Sequence, residues 1–340
     1  MKTVMHLLAS NSIGGAEKIV FNIIDQTKRD YKHIYVCPKG PIEEYLEKEE
    51  IEFLAVDRLT YRSIKESIKR FRPNIIHAHD FRMTMLGSVC KGKNMRLIAH
   101  LHSTRPQFTQ KGIWTCIFNV LATRCNQIIL VSEHLLKEFK FNPTTFSKCI
   151  VLQNIIREDK IKQSINEVGE SYDLMYLGRL EKEKNPIKFI RVFGELLKGA
   201  PIKGIMVGDG ALRNEVRNQI HSKNISKELI TTGFEENPYG YLNKSKILVM
   251  TSQYEGASIA GLEALALSKV VIFPKSNYNE RFNERGVFFC GSEEEYIQTI
   301  RKLLLDQGYY NQQSKKGYEL FKEINKEDDY LTTIYRLYQG

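Results

Sequence analysis

Thr3-Val4-Met5-His6-Leu7-Leu8 leads into Asn11-Ser12-Ile13-Gly14-Gly15 and then into an amphipathic run over residues 16–28. A short apolar, β-rich run, a glycine turn and a helix-period segment form one strand–turn–helix unit. The apolar part is too short for a secretory signal peptide and reads as a first strand. The same unit then recurs. Residues 33–37, 53–56, 75–78, 96–100, 127–131 and 149–153 read as strands, with helical stretches at 43–50, 63–71 and 133–139. After a polar stretch at 159–170 the alternation restarts, with strands over 174–176, 203–207, 229–232, 247–250, 270–273 and 286–289. Strands alternating with helices build parallel, doubly wound sheets. Two such runs in tandem predict an α/β protein of two Rossmann-like domains facing a central cleft.

The length of 340 residues agrees with two domains, because single cores stop growing near roughly 250–300 residues. The expected division is a first domain over 1–160, a linker over 161–171, a second domain over 172–325 and a final helix over 326–340. That helix carries Tyr330, Leu331, Ile334, Leu337 and Tyr338 at helical spacing, and either crosses back to the first domain or caps the second. A hydrophobic share of 42% and a charged share of 26% are those of an ordinary globular protein. No apolar run approaches the ~20 residues of a membrane span. The six cysteines (37, 90, 116, 125, 149, 290) are scattered without a Cys-x-x-Cys pair, which points to buried thiols in a reducing cytosol. The net charge of +10 is uneven: residues 58–148 hold 16 basic against 4 acidic residues. Such a surface attracts an anionic partner, whether nucleic acid or an anionic membrane leaflet.

The strongest chemical signal is Glu255-Gly256-Ala257-Ser258-Ile259-Ala260-Gly261-Leu262-Glu263, which runs directly into a Leu/Ala helix. Ser258 is a candidate N-cap, and a helix start preceded by glycine is a ready anion site. With Glu255 in the loop and Glu263 two turns into the helix, the carboxylates bracket a span of about 12 Å. A ligand with a charged middle and hydroxyl-bearing ends fits that span. A buried Ala/Leu helix with two incidental glutamates explains the segment equally well taken alone. Gly14-Gly15 lets backbone N–H groups approach a phosphate, as an ordinary tight turn also would. Gly208-Asp209-Gly210-Ala211-Leu212-Arg213 fails the dinucleotide fingerprint, because Arg213 stands where its third glycine belongs. There is no Walker-type loop either. In Gly178-Arg179-Leu180-Glu181-Lys182-Glu183-Lys184-Asn185, Arg179 and Lys184 follow a strand and are placed to neutralise a diphosphate. Two doublets, His77-Ala78-His79 and His100-Leu101-His102, end predicted strands. Alternate strand residues share a face, but no carboxylate or thiol accompanies both pairs, so no metal is expected. One histidine at a strand tip is the better candidate for hydrogen bonding or proton relay.

Taken in order, these pieces resemble the retaining, nucleotide-sugar-dependent glycosyltransferases of the GT-B fold, which build bacterial surface polysaccharides. The resemblance runs from Gly14-Gly15-Ala16-Glu17 through Ile75-Ile76-His77-Ala78-His79, the His102 region and Leu152-Gln153-Asn154. It continues through Tyr176-Leu177-Gly178-Arg179-Leu180, Lys184-Asn185, Val207-Gly208-Asp209-Gly210 and Gly233-Phe234 to the segment from Glu255 to Glu263. Each piece is weak, whereas their order and spacing are specific.

The resemblance implies roles. Gly15 faces the donor's distal phosphate through its N–H, and Arg179 and Lys184 stabilise the leaving diphosphate. Glu255 contacts donor-sugar hydroxyls, Glu263 holds the ribose, and backbone N–H groups of Gly256, Ala257, Ser258 and Ile259 complete the cradle. Gly178, Gly208, Gly233 and Phe234 belong to the same donor site. His102 contacts the donor sugar, although His100 stands two residues away. Ala257 replaces the usual larger residue after Glu-Gly and widens the sugar pocket. The implied reaction is retaining and needs neither metal nor cofactor. Its donor is a nucleotide sugar, with UDP the expected carrier, and its acceptor a glycan or lipid-linked oligosaccharide. The implied setting is cytoplasmic and peripheral to the inner membrane face, so the basic first half meets anionic lipid rather than nucleic acid. Arg62, Lys65, Lys69, Arg70 and Arg72, with Trp114, Ile117 and Phe118 near Lys111, are the candidate membrane contacts. The rivals are a nucleotide-sugar epimerase of related fold and a non-catalytic nucleotide-sugar-binding partner of another transferase.

Overall fold

The computed structural model describes residues 1–103, 105–253, 258–277 and 282–340. The chain divides into two compact units, one of Met1–Ile155 with Glu327–Gly340 and one of Ile156–Lys326.

The first unit is built on seven parallel strands: β1 (Lys2–Leu7), β2 (Tyr31–Pro38), β3 (Phe53–Val56), β4 (Ile75–Ala78), β5 (Arg96–Leu101), β6 (Gln127–Leu130) and β7 (Cys149–Val151). Their order across the sheet is β3-β2-β1-β4-β5-β6-β7. The second unit repeats the plan with β8 (Tyr172–Leu177), β9 (Gly204–Val207), β10 (Leu229–Gly233), β11 (Ser245–Val249), β12 (Val270–Pro274) and β13 (Val287–Cys290). Their order is β10-β9-β8-β11-β12-β13. Helices cover both faces of such sheets, so the central strands carry apolar stretches buried on both sides. Ile247, Leu248 and Val249 of β11 and Ile128, Ile129 and Leu130 of β6 are all fully buried.

In each sheet the strand order reverses once, between β1 and β4 and between β8 and β11. Ligands of open α/β sheets bind beyond the carboxyl ends of strands at that reversal. The segments after β1, β4, β8 and β11 are therefore the ones to examine.

The final helix, Glu327–Gln339, belongs to the first unit. Its Tyr338 hydroxyl lies 2.8 Å from His77 Nδ1, and Lys2 Nζ donates to the Gln339 carbonyl at 2.9 Å. The expected limits at 160 and 325/326 lie within five residues of where the units divide, whereas the segment expected as linker, 161–171, falls inside the second unit. The chain passes between units at Ile155–Ile156 and again at Lys326–Glu327. The polar stretch read as linker begins instead as a helix, Glu158–Gln163, with Ile161 buried. Glu158 anchors it, accepting from Tyr318 Oη at 2.7 Å and Lys322 Nζ at 3.1 Å. Of the six free thiols only Cys116 is exposed and Cys149 half-buried, so the expectation of buried thiols fails at Cys116.

Candidate active site

In the second unit the candidate residues collect at the carboxyl edge of the sheet. Gly178 follows β8, Gly208 follows β9 and Gly233 ends β10. Their backbones are hydrogen-bonded in series, Gly178 N to Val207 O at 3.0 Å and Gly208 N to Gly233 O at 2.7 Å. Gly208 has φ +143°, and a Cβ there would collide with the Gly178 carbonyl oxygen. Only glycine lets these two loops approach so closely. The result is an edge of bare backbone onto which a ligand can settle.

The basic pair is fixed by that backbone. Tyr176 Oη donates to the Arg179 carbonyl at 2.8 Å, leaving the Arg179 guanidinium exposed. Lys184 ends a short 3-10 turn, and Asn185 follows in the left-handed region at φ +48° to cap the helix Pro186–Leu197. Thr251, just past β11, donates its hydroxyl to the Asn185 carbonyl at 2.8 Å. Gln253 N donates to the Glu183 carbonyl at 2.8 Å. Thr251 and Asn185 therefore position Lys184; Asn185 was quoted in the sequence only as part of its motif, and Thr251 not at all. The signal available was an Asn-Pro helix start and a hydroxyl directly after an apolar strand.

Ser258 is the N-cap anticipated for it, accepting from Gly261 N at 3.2 Å ahead of the helix Ile259–Ala266. Ile259 turns its side chain into the core. Glu263 is the fifth residue of that helix, a little over one turn in rather than two. Glu263 is 2% exposed, and its carboxylate accepts from Tyr239 Oη at 2.9 Å. Tyr239 was missed, since nothing in its sequence surroundings marks it. Phe234 is exposed beside Gly233. Glu255, Gly256 and Ala257 lie outside the described residues.

In the first unit the helix Gly15–Thr27 starts from Gly14, an extended residue with no side-chain cap. Glu17 occupies its first turn and is buried. His102 directly follows β5 and is half-buried, whereas His100 is wholly inside.

The two doublets prove to be part of a larger assembly. His6 of β1, His33 of β2, His77 and His79 at the end of β4, and His100 and His102 at the end of β5 stack on one another. Successive ring centroids lie 4.1–5.5 Å apart. His6 and His33 were overlooked because each stands alone in its strand. The strand register, which sets His6 beside His77, brings them in. Burial pushes His33 down to about 4 and His77 and His102 down to about 3, with His6, His79 and His100 also held well below the ordinary value. All six are therefore neutral imidazoles at physiological pH. Two overlapping triads, His6/His77/His79 and His79/His100/His102, bring one nitrogen each within 4.8 Å of one another. Both depend on His79, whose two nitrogens already face His6 at 3.0 Å and His102 at 3.2 Å. Neither triad includes a carboxylate or thiolate.

On the helix Ile113–Ala122, Ile113, Trp114, Ile117 and Val120 are exposed. Phe118, expected among them, is instead fully buried against Phe81, Phe108 and Phe141. Nearby, Lys111, Lys137 and Lys140 line an open groove of about 430 Å³ with Phe139, Phe141 and Phe146. Among the described residues no helix is long and apolar enough to cross a membrane.

Two doubly wound units, each presenting its candidate residues at the sheet reversal, define the GT-B class of fold. The solved structure of Anabaena HepE in complex with UDP and glucose superposes on it with a TM-score of 0.85 over the full length of both chains, at 15% identity. Residues 157–320 match the sequence model of glycosyl transferases group 1, and residues 13–160 match that of Glycosyltransferase Family 4. The chain belongs to the group 1 glycosyltransferase family. It is 29% identical over 209 residues to the N-acetylgalactosamine-N,N'-diacetylbacillosaminyl-diphospho-undecaprenol 4-alpha-N-acetylgalactosaminyltransferase of Campylobacter jejuni, a match covering 58% of this chain and 56% of that one. It is 23% identical to the UDP-Gal:alpha-D-GlcNAc-diphosphoundecaprenol alpha-1,3-galactosyltransferase of Escherichia coli, over 72% of this chain and 71% of that one. The chain thus spans little more than half the length of the first of these relatives.

Proposed function

We propose that this protein transfers a sugar, with retention, from a nucleoside diphosphate donor, UDP being the carrier, to a hydroxyl of a lipid-linked glycan. The observation that carries the reading is the glycine edge after β8, β9 and β10, with Arg179 next to Gly178, Lys184 in the same loop and Glu263 buried in the helix that follows β11. Bare backbone and two cations suit a diphosphate, and a buried carboxylate suits ribose hydroxyls. The names of the Campylobacter and Escherichia relatives, which act on diphospho-undecaprenol sugars, support a lipid-linked acceptor. The HepE complex with UDP and glucose supports the donor class.

In the proposed step the bond from the anomeric carbon to the diphosphate oxygen breaks. The acceptor oxygen bonds to that carbon on the same face, and its proton passes to the departing diphosphate. Arg179 and Lys184 stabilise the charge that develops there, a role usually among the largest in catalysis. Gly15 toward the distal phosphate, and Glu255 and His102 toward the sugar, are taken from the resemblance. No metal or cofactor takes part, so chelators should leave the rate unchanged.

The acceptor is proposed to be reached at an anionic membrane face on the cytoplasmic side. The exposed Ile113, Trp114, Ile117 and Val120 supply the apolar contact, and the basic surface of residues 58–148 supplies the charge. Binding to anionic vesicles should weaken as salt rises, and absence of binding overturns this part.

The deciding experiment supplies UDP-sugars and a diphospho-polyprenyl glycan and follows product formation. Lys184→Ala and Glu255→Ala should each slow transfer by about 10²–10³. Unchanged transfer in both variants would refute the site, and donor epimerisation without transfer would favour the epimerase.

A further inference from the structure

The six stacked imidazoles are more than the doublets that the family resemblance touches, and four of them lie on one unbroken hydrogen-bonded path. Thr27 Oγ1 is 2.5 Å from the Ile23 carbonyl oxygen and 2.9 Å from His33 Nε2. His33 Nδ1 is 3.0 Å from His6 Nε2, and His6 Nδ1 is 3.0 Å from His79 Nε2. His79 Nδ1 is 3.2 Å from His102 Nε2, where the path ends. It crosses four neighbouring strands, from β2 through β1 and β4 to the end of β5.

The direction of every bond follows from its first member. Two oxygens at 2.5 Å need a proton between them, and the Ile23 carbonyl has none to give. The single Thr27 proton is thereby used, so Thr27 accepts from His33 and Nε2 carries that hydrogen. A neutral imidazole has one N–H, which leaves His33 Nδ1 as an acceptor for His6 Nε2–H. The same step repeats from His6 to His79 and from His79 to His102. His102 Nδ1 is left as a bare acceptor, and among the described residues it has no partner.

We propose that Thr27, His33, His6 and His79 form a one-way hydrogen-bond chain that holds His102 as its Nε2–H tautomer. His102 then offers a lone pair at Nδ1, and the group it recognises is a hydroxyl that donates. This deepens the proposed function, on which only the identity of that hydroxyl, one on the donor sugar, depends. Thr27, His33, His6 and His79 are positioning residues that act through His102. Chains of this kind polarise from link to link, which strengthens the terminal acceptor. A metal at either triad would take nitrogens of His79 that the chain already uses, and it is the competing account.

The test is nitrogen-15 NMR of the histidine-labelled full chain at neutral pH, with His102 assigned from the spectrum of His102→Gln. The expected spectrum shows His102 protonated at Nε2 and pyridine-like at Nδ1, in a single tautomer. Protonation at Nδ1 would reverse the chain and overturn the proposal. So would displacement of the His79 and His102 signals by one equivalent of zinc. Thr27→Val removes the acceptor that fixes the direction and should turn the single tautomer into a mixture, which Thr27→Ser restores. A His102 signal unchanged in Thr27→Val would also refute it. In the transfer assay, Thr27→Val should lower kcat/KM about fivefold, with recovery in Thr27→Ser, the scale of one neutral hydrogen bond. If the protein transfers no sugar, the proposed function fails while the tautomer measurement still decides the chain.

Discussion

The two units share one strand order and yet furnish its reversal point with opposite chemistry. At the first, the polar groups are side chains: six stacked neutral imidazoles on β1 and β2 and at the ends of β4 and β5. At the second they are backbone: Gly178 bonded to Val207 and Gly208 to Gly233, with Arg179 exposed and Lys184 half-buried beside them. Imidazoles can be directed and can carry one proton on either nitrogen, which suits recognition of hydroxyls. A close-packed glycine backbone with two basic side chains beside it suits a diphosphate. One scaffold thus tolerates two kinds of site because the residues after a strand can change without disturbing the apolar strand itself.

The largest effect that should separate the units is acid. Unfolded, each imidazole takes up a proton near 6.5, whereas folded His33 resists to about 4 and His77 and His102 to about 3. The unfolded chain therefore binds more protons across that window. Stability present above pH 6.5 is lost as pH falls toward 4, at about 1.4 kcal/mol per pH unit for each histidine. Hydrogen-exchange protection factors at pH 7 and 5 should fall in β1, β2, β4 and β5 while β8, β9 and β11 hold theirs. Equal losses in both sheets would erase the contrast.

Next in size is the cost of the cations. Arg179→Ala should reduce kcat by about 10²-fold or more with the fold intact, because the guanidinium is exposed and its carbonyl, not its side chain, anchors Tyr176. Arg179→Lys should recover only part, since an ammonium cannot reproduce the two-pronged contact of a guanidinium. Initial rates with saturating donor read this directly, and full activity in Arg179→Lys would remove the argument for that contact.

Glycine substitutions should sort the units a third way. Gly208→Ala forces a side chain into a left-handed backbone and against the Gly178 carbonyl, at about 1–3 kcal/mol. Gly14→Ala meets only the end of the Glu17 side chain at 2.9 Å, from an ordinary extended backbone. Melting temperatures should therefore drop by several degrees in Gly208→Ala and far less in Gly14→Ala.

These contrasts also explain what the sequence could show. The thirteen strands among the described residues were legible, the central ones because a parallel strand buried on both faces is written as an apolar run, as in Ile247-Leu248-Val249. The helix Glu158–Gln163 was not legible. Its residues are polar, and it is held by Tyr318 and Lys322, some 160 positions away. The loops after β8 and β9 could be picked out by their glycines, while Tyr239 and Thr251 act through contacts no local pattern announces. The doublets at 77–79 and 100–102 were visible as doublets. Their joining through His6, His33 and Thr27 depends on strand register, which a single sequence does not display.

The smallest effect tests whether Glu263, the one buried carboxylate among the described residues of the second unit, belongs to the site at all. Tyr239→Phe removes the hydroxyl that donates to Glu263 at 2.9 Å and changes little else in volume. Glu263 keeps further interactions, so the loss should be near the ~1 kcal/mol of a single hydrogen bond rather than that of an abandoned charge. If Glu263 holds the ribose, UDP affinity measured by calorimetry should fall about fivefold, because the carboxylate loses the contact that orients it. Melting temperature without UDP should move slightly in the same variant. A lowered melting temperature with unchanged UDP affinity would assign the Tyr239–Glu263 pair to the support of the helix Ile259–Ala266. Nucleotide recognition would then rest on the backbone edge and the two cations alone.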